Sequence, residues 1–239
     1  MTIDITKNQI YHGDSLDLIK DIPDNTIDLL LTDPPYNITQ KNNFKTMGRR
    51  GIEWEWDGGF DQKKWLELIE PKLKKGANIV IFNDWKNLGN IAEHMTTLGI
   101  IPKKDICYSK KNPMPRNVDR SFVSAREYAI WGVKPGKWTF NKRKGVPYET
   151  GLFNYPVQHD DHPAKKPDGL FNELISLLSN KGDFVVDPFS GSGTTAFACE
   201  RLGRLGACFE IDATFYNNSV AELNTIRSFI NGTSSSSAG

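Results

Sequence analysis

The 239 residues suit a single α/β domain, or one such domain with a small insert. With 38% hydrophobic and 25% charged residues the composition is that of an ordinary globular protein, and a net charge of +1 excludes a general polycation. No apolar run approaches the roughly 20 residues of a membrane span, the N-terminal segment lacks a basic-then-apolar signal pattern and reads as cytoplasmic, and Cys107, Cys199 and Cys208 have neither metal-ligand nor disulfide-framework spacing.

In chain order, residues 10–12 predict a short strand and 15–21 a helical segment that stops at the turn cluster Pro23-Asp24-Asn25. The apolar run 27–32 predicts a strand ending abruptly in Asp33-Pro34-Pro35-Tyr36. Residues 39–60 are polar, glycine-containing and aromatic without a sustained period, as in a functional loop; Trp54 and Trp56 within it either cap a site or pack on the surface. Helical spacing over 65–73 meets a stop signal at Lys74-Lys75-Gly76. A strand over 78–82, a helix over 88–98 closed by Gly99, and strands over 105–108 and 127–131 follow. Residues 132–161 are basic, rich in Pro and Gly, and aperiodic. Then come an amphipathic helix over 170–178, a strand over 184–186, a helix over 194–202, a strand over 205–209 and a helix over 215–229. Residues 1–230 form one domain, and 231–239 read as a disordered tail. Short strands alternating with helices predict a mostly parallel sheet covered on both faces, with ligands at the carboxyl ends of the strands near a topological switch point.

Two of those strand ends carry chemistry. After the strand at 184–186, Gly191-x-Gly193-x-x-Ala196 fits a nucleotide-binding fingerprint, and Glu210 lies nineteen residues beyond Gly191 at the end of the next strand, where a carboxylate accepts from ribose hydroxyls. No lysine follows Gly193, so this is not a P-loop. An NAD-linked oxidoreductase remains an alternative. At the other end, Asp33 precedes a proline and is held extended. Pro34 and Pro35 have no N–H, so the tip offers acceptors only: one carboxylate and two carbonyls, beside the Tyr36 ring. The guest that matches is a planar base with an exocyclic amine, stacked on Tyr36. Two acceptors gripping both amine hydrogens favour a localised lone pair and stabilise the positive charge that develops as the nitrogen attacks a methyl group.

With these motifs the chain resembles the β-class DNA amino-methyltransferases that use S-adenosylmethionine. Their (D/N/S)PP(Y/F) motif is Asp33 to Tyr36 here, their FxGxG motif is Phe189 to Gly193, and an HPxxKP-like segment, His162-Pro163-Ala164-Lys165-Lys166-Pro167, precedes the cofactor strand. The resemblance implies a Rossmann-like methyltransferase fold of class α/β: a mixed seven-stranded sheet with one antiparallel strand, helices on both faces, and permuted motif order. It implies that Asp33 and the Pro34 carbonyl grip the amine within the catalytic set Asp33, Pro34, Pro35 and Tyr36. Asp14, His162, Lys165, Asp187, Phe189, Gly191, Ser192, Gly193, Thr194, Thr195 and Glu210 would hold the cofactor. DPPY is usual for adenine N6 and SPP(Y/F) for cytosine N4, which favours adenine and leaves cytosine open. Target recognition falls between the motifs, around residues 113–161. Residues 102–147 hold twelve Lys or Arg against three Asp or Glu, and Lys110, Lys111, Arg116, Arg120, Lys142, Arg143 and Lys144 are the candidate DNA contacts. DNA is the expected partner, with a cognate restriction endonuclease and a homodimer as further partners and no metal. The more distant alternative is a DNA-binding protein that has lost activity.

Overall fold

The computed structural model describes residues 2–36, 60–115, 118–158 and 165–236. Eight strands form one sheet: β1 (Asn8–His12), β2 (Ile27–Thr32), β3 (Leu73–Asn83), β4 (Ile101–Lys110), β5 (Arg126–Val133), β6 (Leu152–Tyr155), β7 (Phe184–Asp187) and β8 (Leu205–Glu210). Their order is β1-β8-β7-β2-β3-β5-β4-β6. Only β5 runs against the rest, pairing antiparallel with β3 and β4. The helices are α1 (Ser15–Leu18), α2 (Lys64–Ile69), α3 (Leu88–Thr97), α4 (Asp168–Leu178), α5 (Thr194–Leu202) and α6 (Ala213–Ser236).

The alternation of side chains along a strand sends successive apolar residues to opposite faces. Leu30, Ile79, Ile81 and Val186 point to the face covered by α1, α2 and α3, where Leu18, Trp65, Leu66, Ile91 and Met95 are buried. Leu29, Leu31, Val80, Phe82 and Val185 point to the other face, against Leu170, Phe171, Leu174 and Ile175 of α4 and Ala198 of α5. Further along that face, Ile10 and Cys208 pack with Ala196, Phe197 and Leu223 of α5 and α6. A sheet buried on both sides explains why its central strands read as continuous apolar runs.

Three expectations change. The sheet has an eighth strand, β6, inside the aperiodic basic stretch; it is four residues long at the sheet edge and pairs only with β4, so its pattern is too short to stand out. The helix expected over 65–73 ends earlier. Pro71 sits in a 3-10 turn over Glu70–Lys72, and β3 begins at Leu73. The supposed stop at Gly76 is an irregularity in the β2–β3 register, where φ is +80° and a Cβ would lie 2.3 Å from the Lys137 carbonyl oxygen. Finally, α6 continues through residues 231–236, which the sequence assigns to the tail. Among the described residues no helix is long and apolar enough to cross a membrane.

After β2 the chain moves toward β3; after β7 it moves the other way, to β8. The switch point is therefore between β2 and β7, whose carboxyl ends carry Asp33 and Asp187.

Candidate active site

Parallel strands bring their carboxyl ends to one edge. That edge collects Gly13-Asp14 after β1, Asp33 after β2, Asn83 of β3, Lys110 of β4, Asp187 of β7 and Glu210 of β8. Because β5 runs in reverse, its first residues, Arg126 and Glu127, join the same edge.

On the β7–β8 side, Asp187 is almost fully buried and its carboxylate is held by neutral donors. Thr32 Oγ1 reaches Oδ1 at 2.8 Å, Thr195 Oγ1 reaches Oδ2 at 2.5 Å, and the Phe189 N–H reaches Oδ1 at 3.1 Å. Burial pushes this carboxyl up to about 6 against the pull of those hydrogen bonds. The loop that follows turns through Gly191 and Gly193, at φ +52° and +84°. A Cβ on Gly193 would come within 2.9 Å of Phe197 Cζ and of Ser219 Cβ, so only glycine lets the loop lie this close to α5 and α6. Thr194 and Thr195 begin α5 and are buried, and the Ser192 hydroxyl lies 3.5 Å from that of Thr194. The Phe189 ring packs edge-on against Phe60 and Trp65, at 5.2 and 5.5 Å between centroids.

Glu210 is half-buried at the end of β8. The Asp212 N–H donates to Oε1 at 2.7 Å, the Gly13 N–H donates to the Glu210 carbonyl at 3.0 Å, and burial pushes the carboxyl up to about 6. Asp14 caps α1 by accepting from the Leu16 N–H at 2.7 Å and stays exposed. Lys165 Nζ stands 3.9 Å from Asp168 Oδ1. His162 lies outside the described residues.

The β2 tip is built differently. Tyr36 Oη donates to Asp33 Oδ1, and the Lys166 ammonium donates to Oδ2. Lys166 is buried and also pairs with Glu127 Oε2 at 3.1 Å, while Lys110 Nζ pairs with Glu127 Oε1 at 2.6 Å. Burial would strip the Lys166 proton, but Asp33 and Glu127 hold it well above the usual lysine range. Burial alone would raise Glu127; the two ammonium groups hold it down to about 2. Gln62 Nε2 donates to the Pro35 carbonyl. Asn83 ties Gln62 to Asn87, with Asn83 Nδ2 at 3.4 Å from Gln62 Oε1 and Asn87 Nδ2 at 2.8 Å from Asn83 Oδ1. Asn87 also reaches the Tyr36 carbonyl at 3.3 Å. Among the described residues no backbone N–H or side chain donates to the Pro34 carbonyl. Of the two carbonyls that the prolines leave bare, the described residues thus occupy the one of Pro35 and leave the one of Pro34 without a donor.

Sequence reasoning missed Lys166, Glu127, Gln62, Asn83 and Asn87. The HPxxKP segment contained Lys166, and Asn83 follows an apolar run as Asp33 does. The basic candidates divide. Lys111 and Arg120 lie on the exposed loop joining β4 to β5 at the same edge, with Met114, Val118 and Phe122 also exposed there. Lys110 is committed to Glu127. Lys142, Arg143 and Lys144 follow the far end of β5. There Asn141 bonds the Leu177 carbonyl, and Arg143 pairs with Glu149 and Glu173. Arg116 lies outside the described residues.

The family model for N6 and N4 DNA methylases matches residues 27–221. The chain belongs to the N6/N4 DNA methylase family. The Type II methyltransferase M.HinfI of Haemophilus influenzae is 29% identical over 225 residues, a match that covers 82% of this chain and 63% of that relative. The chain therefore spans less than two thirds of M.HinfI. A crystal structure of an M1.HpyAVI-SAM complex is 33% identical with a TM-score of 0.75, covering 90% of this chain and 98% of that one. The cytosine-N4-specific PvuII DNA methyltransferase shares the fold at 19% identity and a TM-score of 0.71, covering 92% and 91%. The N6/N4 methylases draw their methyl group from S-adenosylmethionine. The residues here fit that cofactor: a loop that turns through Gly191 and Gly193 at positive φ lies beside a half-buried carboxylate at the next strand end.

Proposed function

We propose that this protein methylates the exocyclic N6 of a flipped adenine within a specific DNA word. The observation that carries the reading is the β2 tip, where the Asp33 carboxylate and a Pro34 carbonyl that takes no donor among the described residues stand together at the switch point, next to the glycine loop of β7. Bound S-adenosylmethionine supplies an electrophilic methyl group on a sulfonium. Glu210 accepts from the ribose hydroxyls, and the loop at Gly191 to Gly193 lets the amino-acid end approach the backbone. Asp33 and the Pro34 carbonyl would each accept one amine hydrogen, localising the nitrogen lone pair and stabilising the charge that builds as it takes the methyl group, and the methylated nitrogen would then release one of those protons to solvent. The Tyr36 ring stacks on the extruded base, recovering about 1–3 kcal/mol of the flipping cost.

Duplex DNA lies along the carboxyl edge, met by Lys111 and Arg120 on the β4–β5 loop beside the exposed Met114, Val118 and Phe122. Aspartate rather than serine at the tip supports adenine; N4 of cytosine is the second reading, supported by the fold shared with the PvuII enzyme. Likeness to a Type II methyltransferase supports a companion endonuclease for the same word, and a homodimer belongs to the same reading.

The test is to incubate the protein with S-adenosylmethionine and unmethylated genomic DNA, digest to nucleosides and identify the product by mass spectrometry. N6-methyladenine is expected. N4-methylcytosine would transfer the mechanism to the second base, and a protein that binds neither cofactor nor DNA would refute the reading.

A further inference from the structure

Both oxygens of the Asp33 carboxylate, which the proposed reaction needs as an acceptor, are engaged by side chains. Oδ1 takes the Tyr36 hydroxyl and Oδ2 takes the Lys166 ammonium. An ammonium left on Oδ2 during transfer would repel the charge growing on the target nitrogen, in a buried setting where such repulsion is weakly screened. Lys166 already has a second partner, because Glu127 Oε2 is 3.1 Å from Nζ. Glu127 is itself fixed from its other oxygen by Lys110 at 2.6 Å. The rings of Tyr36 and Phe82 lie 5.8 and 5.4 Å from the ammonium, and the Tyr108 hydroxyl is buried nearby with no hydrogen-bond partner among the described residues.

We infer that Lys166 is a positioning residue that occupies the amine seat on Asp33 until the target base enters, then transfers its hydrogen bond to Glu127 and leaves Oδ2 to the substrate. This rests on the methyltransfer reading above and adds a displaceable internal cation to it. Lys166 holds the Asp33 carboxylate in its direction, and Glu127 is the seat that lets it withdraw without stranding a buried charge.

Steady-state kinetics with genomic DNA, S-adenosylmethionine and four proteins test it: wild type, Glu127→Gln, Lys166→Met and the double variant. With Glu127→Gln the lysine has no second carboxylate and stays on Asp33, so the KM for DNA rises about tenfold, equivalent to about 1.4 kcal/mol, while cofactor affinity holds. Adding Lys166→Met to that variant removes the obstruction and restores the KM, although Lys110 remains unpaired in both proteins. A Glu127→Gln protein with wild-type KM, or a double variant no better than Glu127→Gln, overturns the inference. Calorimetric binding of S-adenosylmethionine shows that each variant is folded. Should Lys166→Met not fold, a Glu127→Gln protein with wild-type KM still overturns the inference. Failure of the methyltransfer reading is separately visible, because the wild-type protein would then bind cofactor and DNA without transferring a methyl group.

Discussion

Strands β2 and β7 lie side by side, and each ends in Asp-Pro, but their carboxylates are held by opposite kinds of partner. Asp187 accepts from two hydroxyls and one amide, all neutral. Asp33 accepts from a phenol and an ammonium. Neutral donors leave the cost of burying Asp187 unbalanced, and its proton affinity rises. Asp187 thus behaves as a strut: it links β2 through Thr32 and α5 through Thr195, and shapes the loop between them. Asp33, held by a phenol and an ammonium, is in the proposed reaction a socket whose occupants the substrate replaces. On the proposed reading, the same dipeptide at adjacent strand ends shapes the cofactor loop in one case and holds the amine in the other, and the neighbours decide which.

The sharpest way to break this contrast is to remove the socket. Asp33→Ala should lower methyl transfer by at least about 10²–10³-fold, the usual cost of losing one electrostatic contact to the transition state. Cofactor affinity, measured by calorimetry, should be unchanged, since the strut and glycine loop remain. A variant that retained full transfer would assign the amine to other acceptors.

Next in size is a stability effect at the strut. The Asp187 carboxyl titrates at about 6 in the fold against about 3.9 when unfolded. The native state therefore holds the proton more tightly between pH 4 and 6, and stability falls as pH rises through that window, by up to about 3 kcal/mol at 1.36 kcal/mol per pH unit. Asp187→Asn cannot titrate. Urea melts from pH 4 to 7.5 should give a wild-type-minus-variant difference that falls across the window and is flat above about pH 7. Glu210, also pushed up to about 6, contributes equally to both proteins and cancels. A flat difference throughout would mean that Asp187 is not buried as an acid.

The contrast also explains what was legible in the sequence. The apolar runs, the glycine loop and both Asp-Pro tips are local features, and they located β2, β7, β8 and α5 to within a residue or so. The partners of the tips are not local. Lys166 reaches Asp33 across 133 positions, and Thr32 reaches Asp187 across 155. Nothing in the spacing of one chain segment distinguishes a lysine that meets a phosphate from one that meets a carboxylate. Lys110 and Arg143 accordingly read as DNA contacts in the sequence, and the fold places both in ion pairs. The β6 strand was hidden for a related reason: it borrows its order from β4 across the sheet edge rather than from its own four residues.

A smaller effect should separate the cofactor loop from the socket. Gly193→Ala places a Cβ at φ +84° and 2.9 Å from Phe197 and Ser219, whereas Gly182→Ala has the same φ and nothing within 4 Å. Both should lose about 1–2 kcal/mol for the left-handed backbone in urea melts. Only Gly193→Ala should also weaken S-adenosylmethionine binding, because the crowding at that position shifts the loop itself.

The smallest expected change tests whether the socket is held from behind. Gln62 donates to the Pro35 carbonyl and is tied through Asn83 to Asn87, which reaches the Tyr36 carbonyl. This bridge fixes Pro35 and Tyr36 against β3, so the open Pro34 carbonyl keeps its direction relative to the Asp33 carboxylate. Gln62→Met keeps the length of the side chain and deletes its polar contacts, each worth about 0.5–1.5 kcal/mol. If that restraint is spent on aiming the acceptors, the loss falls on the transfer step. The turnover number should then drop about tenfold, with 1.36 kcal/mol corresponding to each factor of ten, while cofactor affinity and the DNA KM stay at their wild-type values. A rise in DNA KM at constant turnover would instead place Gln62 in base capture. Unchanged kinetics with a lower melting temperature would make the bridge purely architectural, a second strut beside Asp187 rather than part of the socket.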